Sequence, residues 1–123
     1  MKIAVVDADP IVRDFVVGTL MYSVNREVLP FKDGLDAWIY FEDYGVPDII
    51  VADVNLEELT GTELLGKVKG LNQGTIVILY SDLPEKEAMV REAGADAFLA
   101  KPFGVNELFT LVQRFVVEGQ SSN

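Results

Sequence analysis

The sequence predicts an α/β domain built on a doubly wound parallel sheet, and two observations predict it. Five short apolar runs recur at regular intervals, and three of them, "KIAVV" (2–6), "DIIVA" (48–52) and "TIVILY" (75–80), are nearly continuous in Ile, Val, Leu and Ala rather than alternating. Continuous apolar strands are those covered on both faces. Each run is followed by a segment with helical spacing and a recognisable helix start, so a strand–helix unit repeats five times. In sheets of this kind ligands bind outside the C-terminal strand ends, where the strand order reverses.

The elements follow in order. The first strand, 2–6, runs into Asp7, and Asp9 before Pro10 reads as the N-cap and first-turn proline of a helix. The second, "EVLPF" (27–31), is followed by Asp33 and the helical stretch "GLDAWIYFEDYG". Its four aromatics, Trp38, Tyr40, Phe41 and Tyr44, are expected to pack on the sheet and receive no binding role. After the third strand, 48–52, come Asp53 and Asn55, and Thr60 with Glu63 spells a capping box for the next helix. The fourth, 75–80, brings Tyr80 and Ser81 to its end, and "SDLPEKEAMVREAG" carries proline and acids early with Gly94 at its close. The fifth, "DAFLA" (96–100), ends at Lys101, and Gly104 opens "VNELFTLVQRFVV". There Leu108, Leu111, Val112, Phe115 and Val116 repeat at the spacing of a core-facing stripe. One domain over 1–118 is expected, with 119–123 a polar tail or the start of a linker.

Composition narrows the chemistry. A chain of 123 residues can bury roughly two-thirds of its unfolded surface in one core. Twenty acids against ten bases give a formal net charge of −10, which repels phosphate backbones and anionic lipid, so neither nucleic acid nor a membrane is an expected partner. Without cysteine or histidine there is no thiolate chemistry, structural zinc site or histidine triad. No apolar run approaches a membrane span, the start lacks the pattern of a signal peptide, and a cytoplasmic protein is expected.

Carboxylates remain. Asp7, Asp9 and Asp53 at strand ends raise one another's pKa unless a cation compensates them, and Lys101 joins the same edge. Mg²⁺ suits such a site, because it binds through one or two carboxylates and fills its octahedron with water and phosphate oxygens. A carboxylate beside the metal can serve as a nucleophile and form an aspartyl phosphate. An aspartate at a strand end is more often a cap or turn residue; the company of Asp7 and Lys101 singles Asp53 out.

Taken together and in order, Asp7, "VADVN" around Asp53, a hydroxyl at the end of strand four, "GAD" and "KPF" resemble the receiver domain of two-component response regulators over essentially the whole chain. The resemblance implies a CheY-like (βα)5, flavodoxin-like fold with strand order 2-1-3-4-5. It implies Asp53 as phosphoacceptor and a Mg²⁺ site made by Asp7, Asp53 and the backbone carbonyl of Asn55, with Asp9 a further candidate ligand. Lys101 and either Ser81 or Tyr80 would contact the phosphoryl group, Phe98 would be the switch aromatic, and the Lys101–Pro102 bond would be cis. A histidine kinase or phosphotransfer protein would be the donor and an effector protein or output domain the target. Such a switch is not an enzyme beyond its own phosphorylation and dephosphorylation. The face of the last two helices and strand five is a candidate homodimer surface.

The chain departs from the family's pattern at four places. The second of two adjacent acids, ordinarily a direct metal ligand, is Ala8; "LEELTG" (56–61) replaces a proline-containing loop; Tyr80 or Ser81 can be matched to the switch hydroxyl; and Gly104 stands where an acidic N-cap is common. Ala8 motivates an alternative, a pseudo-receiver that binds partners without phosphorylation. A distant third reading takes "VVDADPI" as the D-x-D motif of haloacid-dehalogenase-type phosphatases, with Asp7 the nucleophile and Asp9 the general acid.

Overall fold

The computed structural model describes residues 1–22 and 26–121, with side chains through Val117. Five strands, β1 (Lys2–Val6), β2 (Glu27–Phe31), β3 (Ile49–Asp53), β4 (Ile76–Ser81) and β5 (Ala97–Ala100), form one parallel sheet in the order β2-β1-β3-β4-β5. This is the expected order. The helices are α1 (Pro10–Met21), α2 (Gly34–Tyr44), α3 (Gly61–Leu71), α4 (Glu87–Glu92) and α5 (Val105–Ser121). The stretch expected as one fourth helix is instead a 3-10 turn, Pro84–Lys86, followed by the short α4, since Pro84 sets the first turn and Gly94, at φ 111°, ends the second. The expected tail is helical as far as Ser121; residues 122 and 123 lie outside the described residues.

Alternation along each strand divides the core. Ile3, Val5, Ile49, Val51, Ile78, Tyr80 and Leu99 face α1 and α5, where Val16, Leu20, Leu108 and Val112 meet them. Ala4, Val6, Ile50, Ala52, Leu79 and Phe98 face α2, α3 and α4, against Phe41, Leu64, Leu65, Val68 and Val90. β2 is one of the two edge strands and the more open, which accommodates Pro30 because an edge strand can dispense with a donor. Of the four aromatics of α2, Phe41 is buried and Trp38 and Tyr40 pack partly against the sheet. Tyr44 departs from the expected packing: it lies exposed at the helix end, its ring 4.7 Å from that of Tyr40.

The helix starts behave as the sequence predicts. Asp9 accepts the Ile11 amide at 2.9 Å, Asp33 accepts the Asp36 amide at 2.7 Å, and Thr60 with Glu63 forms a reciprocal capping box. Gly61 opens α3 directly over the end of β3: a Cβ there would stand 2.5 Å from the Asp53 carbonyl oxygen, so only glycine lets the helix begin where it does.

Candidate functional site

Parity and register assemble the site. Asp7 continues the face of Val5, Asp53 that of Val51, and Lys101 that of Leu99, so all three side chains leave the sheet toward α1 and α5 at its C-terminal edge. Val6 pairs with Ala52, which sets Asp7 one step on beside Asp53, and Asp53 pairs in turn with Tyr80. Two carboxylates and a phenol thus stand in a row on three adjacent strands.

Asp53 is 8 % exposed and lies at the mouth of a cavity of about 190 Å³ lined by Asp53, Asn55, Ser81, Asp82, Leu83 and Lys86. Its Oδ1 accepts the Asn55 amide at 2.9 Å and its Oδ2 accepts the Lys101 ammonium at 2.9 Å. Lys101 also stands 3.4 Å from Asp82. Burial lowers the Lys101 pKa, but the hydrogen bond and charge of Asp53, with Asp7 and Asp82 beyond, outweigh it and raise the pKa above its ordinary value. The ammonium is therefore charged throughout the neutral range. Lys101–Pro102 is cis, as expected.

Asp7 is sealed, 2 % exposed. Its Oδ1 accepts the Asp9 amide at 2.8 Å and its Oδ2 accepts the Tyr80 hydroxyl at 2.5 Å. Arg13 donates to its backbone carbonyl at 2.8 Å. Burial pushes its carboxyl pKa up, the two donors pull it back only in part, and the negative charge of Asp53 adds to the rise. Burial and the bond to Asp7 also raise the Tyr80 pKa, so the phenol keeps its proton.

The other expected residues are placed as follows. Asp9 is exposed and its Oδ1 is committed to capping α1. Ser81 has the opposite parity to Tyr80, lines the Asp53 cavity, and its Oγ accepts the Leu83 amide at 3.1 Å. Phe98 is buried on the α4 side of β5. Sequence reasoning held Tyr80 only as a rival for the switch hydroxyl and did not connect it to Asp7; the available signal was its even spacing from Ile78, which puts it on the face of the acids. Asp82 and Lys86 were missed as cavity residues: Asp82 lies in the bend after β4 and Lys86 closes the 3-10 turn, and the helical spacing of this stretch does not show which of its side chains turn back toward Asp53.

The donors fit Mg²⁺ in kind. Two carboxylates and the Asn55 carbonyl are all hard oxygens, the number Mg²⁺ takes from protein when it keeps several waters. Ala8 offers none, and among the described residues no three acids gather as a cluster of their own. No described helix is long and apolar enough to cross a membrane.

The family model described as the response regulator receiver domain matches residues 3–113. Among curated proteins, the chain is 31 % identical over 110 residues to the probable transcriptional regulatory protein TcrX of Mycobacterium tuberculosis, covering 88 % of this chain and 46 % of that protein. It is 31 % identical over 118 residues to the two-component response regulator-like PRR37 of Oryza sativa, covering 92 % of this chain and 16 % of that one. The chain thus spans less than half the length of either relative. Among solved structures, a BeF3-activated DrrB receiver domain superposes with a TM-score of 0.83 at 33 % identity, covering 94 % of this chain and 96 % of that one.

Proposed function

The chain belongs to the response regulator receiver domain family, and from that premise we propose that it is a phosphoacceptor switch in two-component signalling, with Asp53 as the acceptor. The observation that carries this reading is the Lys101–Asp53 contact of 2.9 Å over a cavity open to solvent, which holds the carboxylate where an incoming phosphoryl group can reach it. In the transfer, an Asp53 oxygen attacks phosphorus, a P–O bond forms as the P–N bond of a phosphohistidine on a kinase or phosphotransfer protein breaks, and the electron pair left on the departing imidazole nitrogen takes a proton from water. Lys101, permanently charged, moves from the free carboxylate to the phosphoryl oxygens. A Mg²⁺ held by Asp7, Asp53 and the Asn55 carbonyl would neutralise developing charge on those oxygens. Of the two candidate hydroxyls, Ser81 is favoured, since it lines the Asp53 cavity while Tyr80 donates to Asp7. Ser81 closing on the new charge would draw β4 and the adjoining Phe98 side inward, altering the α4–β5–α5 face offered to an effector, an output domain or a second copy. A cytoplasmic location follows from such a kinase partner.

A second reading is favoured by one observation: Ala8 replaces an acid and both Asp7 oxygens already hold protein donors. A pseudo-receiver would use the same fold to bind partners without phosphorylation. Amide NMR of the native chain with Mg²⁺ and then beryllofluoride separates the two. Shifts around Asp53, Ser81 and Lys101 that vanish in Asp53→Ala support the switch; silence in both proteins sinks it and leaves the pseudo-receiver. The phosphatase reading fares worst, because Asp9 caps a helix and Asp7 is sealed.

A further inference from the structure

Tyr80 is on β4 and Asp7 follows β1, with β3 between them. Strands lie about 4.8 Å apart, so a bond between these two must cross the end of the intervening strand, and among neutral side chains a tyrosine is long and rigid enough to make it. The ring is fully buried, with Phe103 packed edge-on at 5.2 Å between centroids and the Lys101 ammonium 5.1 Å from the ring centre. Its hydroxyl therefore has one place to go, and it takes Oδ2 of Asp7. The other oxygen, Oδ1, is tied to the Asp9 amide at the start of α1, whose position the Asp9 cap and Pro10 set. A cation approaching Asp7 must share an oxygen with one of these donors and is repelled by its polar hydrogen, and the hydroxyl, free to rotate about its C–O bond, is the one that can yield.

We propose that the Tyr80 phenol competes with a divalent cation for the Asp7 carboxylate and so sets the cation affinity of this site, a positioning role that rests on Asp7 belonging to the cation site. With Ala8 supplying no acid, the phenol partly takes over the cation's task of compensating Asp7, leaving affinity low until the bond opens. A tyrosine present only to satisfy its own buried hydroxyl would affect stability and leave affinity untouched.

The experiment is a Mg²⁺ titration at pH 8, read by amide shifts and calorimetry, on the native chain, Tyr80→Phe, Ala8→Asp and the double variant, with ¹³Cζ-labelled tyrosine in the native and Ala8→Asp proteins. Removing the donor tightens Mg²⁺ binding about tenfold in either background, the scale of one hydrogen bond to a charged group. The Tyr80 Cζ signal moves in step with Mg²⁺ occupancy. Equal affinities in Ala8→Asp and the double variant, with a Cζ signal that stays still, overturn the competition while leaving the cation site standing. Absence of Mg²⁺ binding in Ala8→Asp overturns the cation site and the competition with it. Should Tyr80→Phe not fold, the Cζ signal decides alone.

Discussion

Asp7 and Asp53 occupy neighbouring strand ends on the same face of the sheet, yet their surroundings differ in every respect that matters chemically. Asp7 is sealed beneath a phenol and a backbone amide; Asp53 meets a charged lysine at the rim of a cavity of about 190 Å³. Burial raises the pKa of the first, and the second holds its partner's charge in place. Two identical side chains one strand apart thus meet separate surroundings, one fixed and compensated by protein donors, the other at a cavity mouth beside a cation. Neighbouring residues decide this, as they do wherever paired carboxylates divide their roles.

The contrast breaks most decisively at Asp53. Asp53→Ala should remove the hydroxylamine-sensitive, base-labile phosphate from a chain incubated with Mg²⁺ and acetyl phosphate, a loss of at least ~100-fold for an acyl phosphate whose nucleophile is deleted; Asp7→Asn should retain measurable labelling. Equal labelling of Asp53→Ala and the native chain would return the nucleophile to Asp7. Next in size is the ground beneath Asp53. Gly61→Ala drives a Cβ to 2.5 Å from the Asp53 carbonyl oxygen, and the overpacking should cost ~1–3 kcal/mol in urea unfolding and shift the Asp53 amide.

Asp7 offers a pH test with a definite sign. Its folded pKa is raised above the ordinary 3.8, so the folded state binds this proton more tightly than the unfolded one. The stability this gives is fully present below pH 3.8 and is lost as the pH rises through the raised value. Asp7→Asn should therefore raise the melting temperature in EDTA at pH 7–8, with the gain disappearing toward pH 3. A lower melting temperature at pH 7–8 would mean that the Tyr80 and Asp9 donors outweigh burial. The smallest effect belongs to Asp9: Asp9→Ala should cost ~1 kcal/mol as a lost N-cap. Its Mg²⁺ affinity should stay within a factor of two; a larger loss would make Asp9 a ligand.

Much of this was legible in one dimension. Continuous apolar runs identified β1, β3 and β4, caps at Asp9, Asp33 and Thr60 marked helix starts, and strand ends located Asp7, Asp53 and Lys101, because these features depend on neighbours a few residues apart. The broken fourth helix and the exposed Tyr44 were not legible: the first turns on α4 seating Val90 in the core with Phe98 of β5 while Pro84 and Glu85 stay exposed, the second on Tyr44 ending α2 clear of the core that buries Phe41.

The sequence by itself determined the strand–helix alternation, the faces of each strand and the chemical inventory of acids and one lysine, since periodicity and residue type are local properties. Which partner each of those groups meets was decided by tertiary structure alone. The Tyr80–Asp7 bond joins residues 73 positions apart and the Lys101–Asp53 bond residues 48 apart. Both depend on strand order and on a register in which a slip of one residue would turn the side chain to the opposite face.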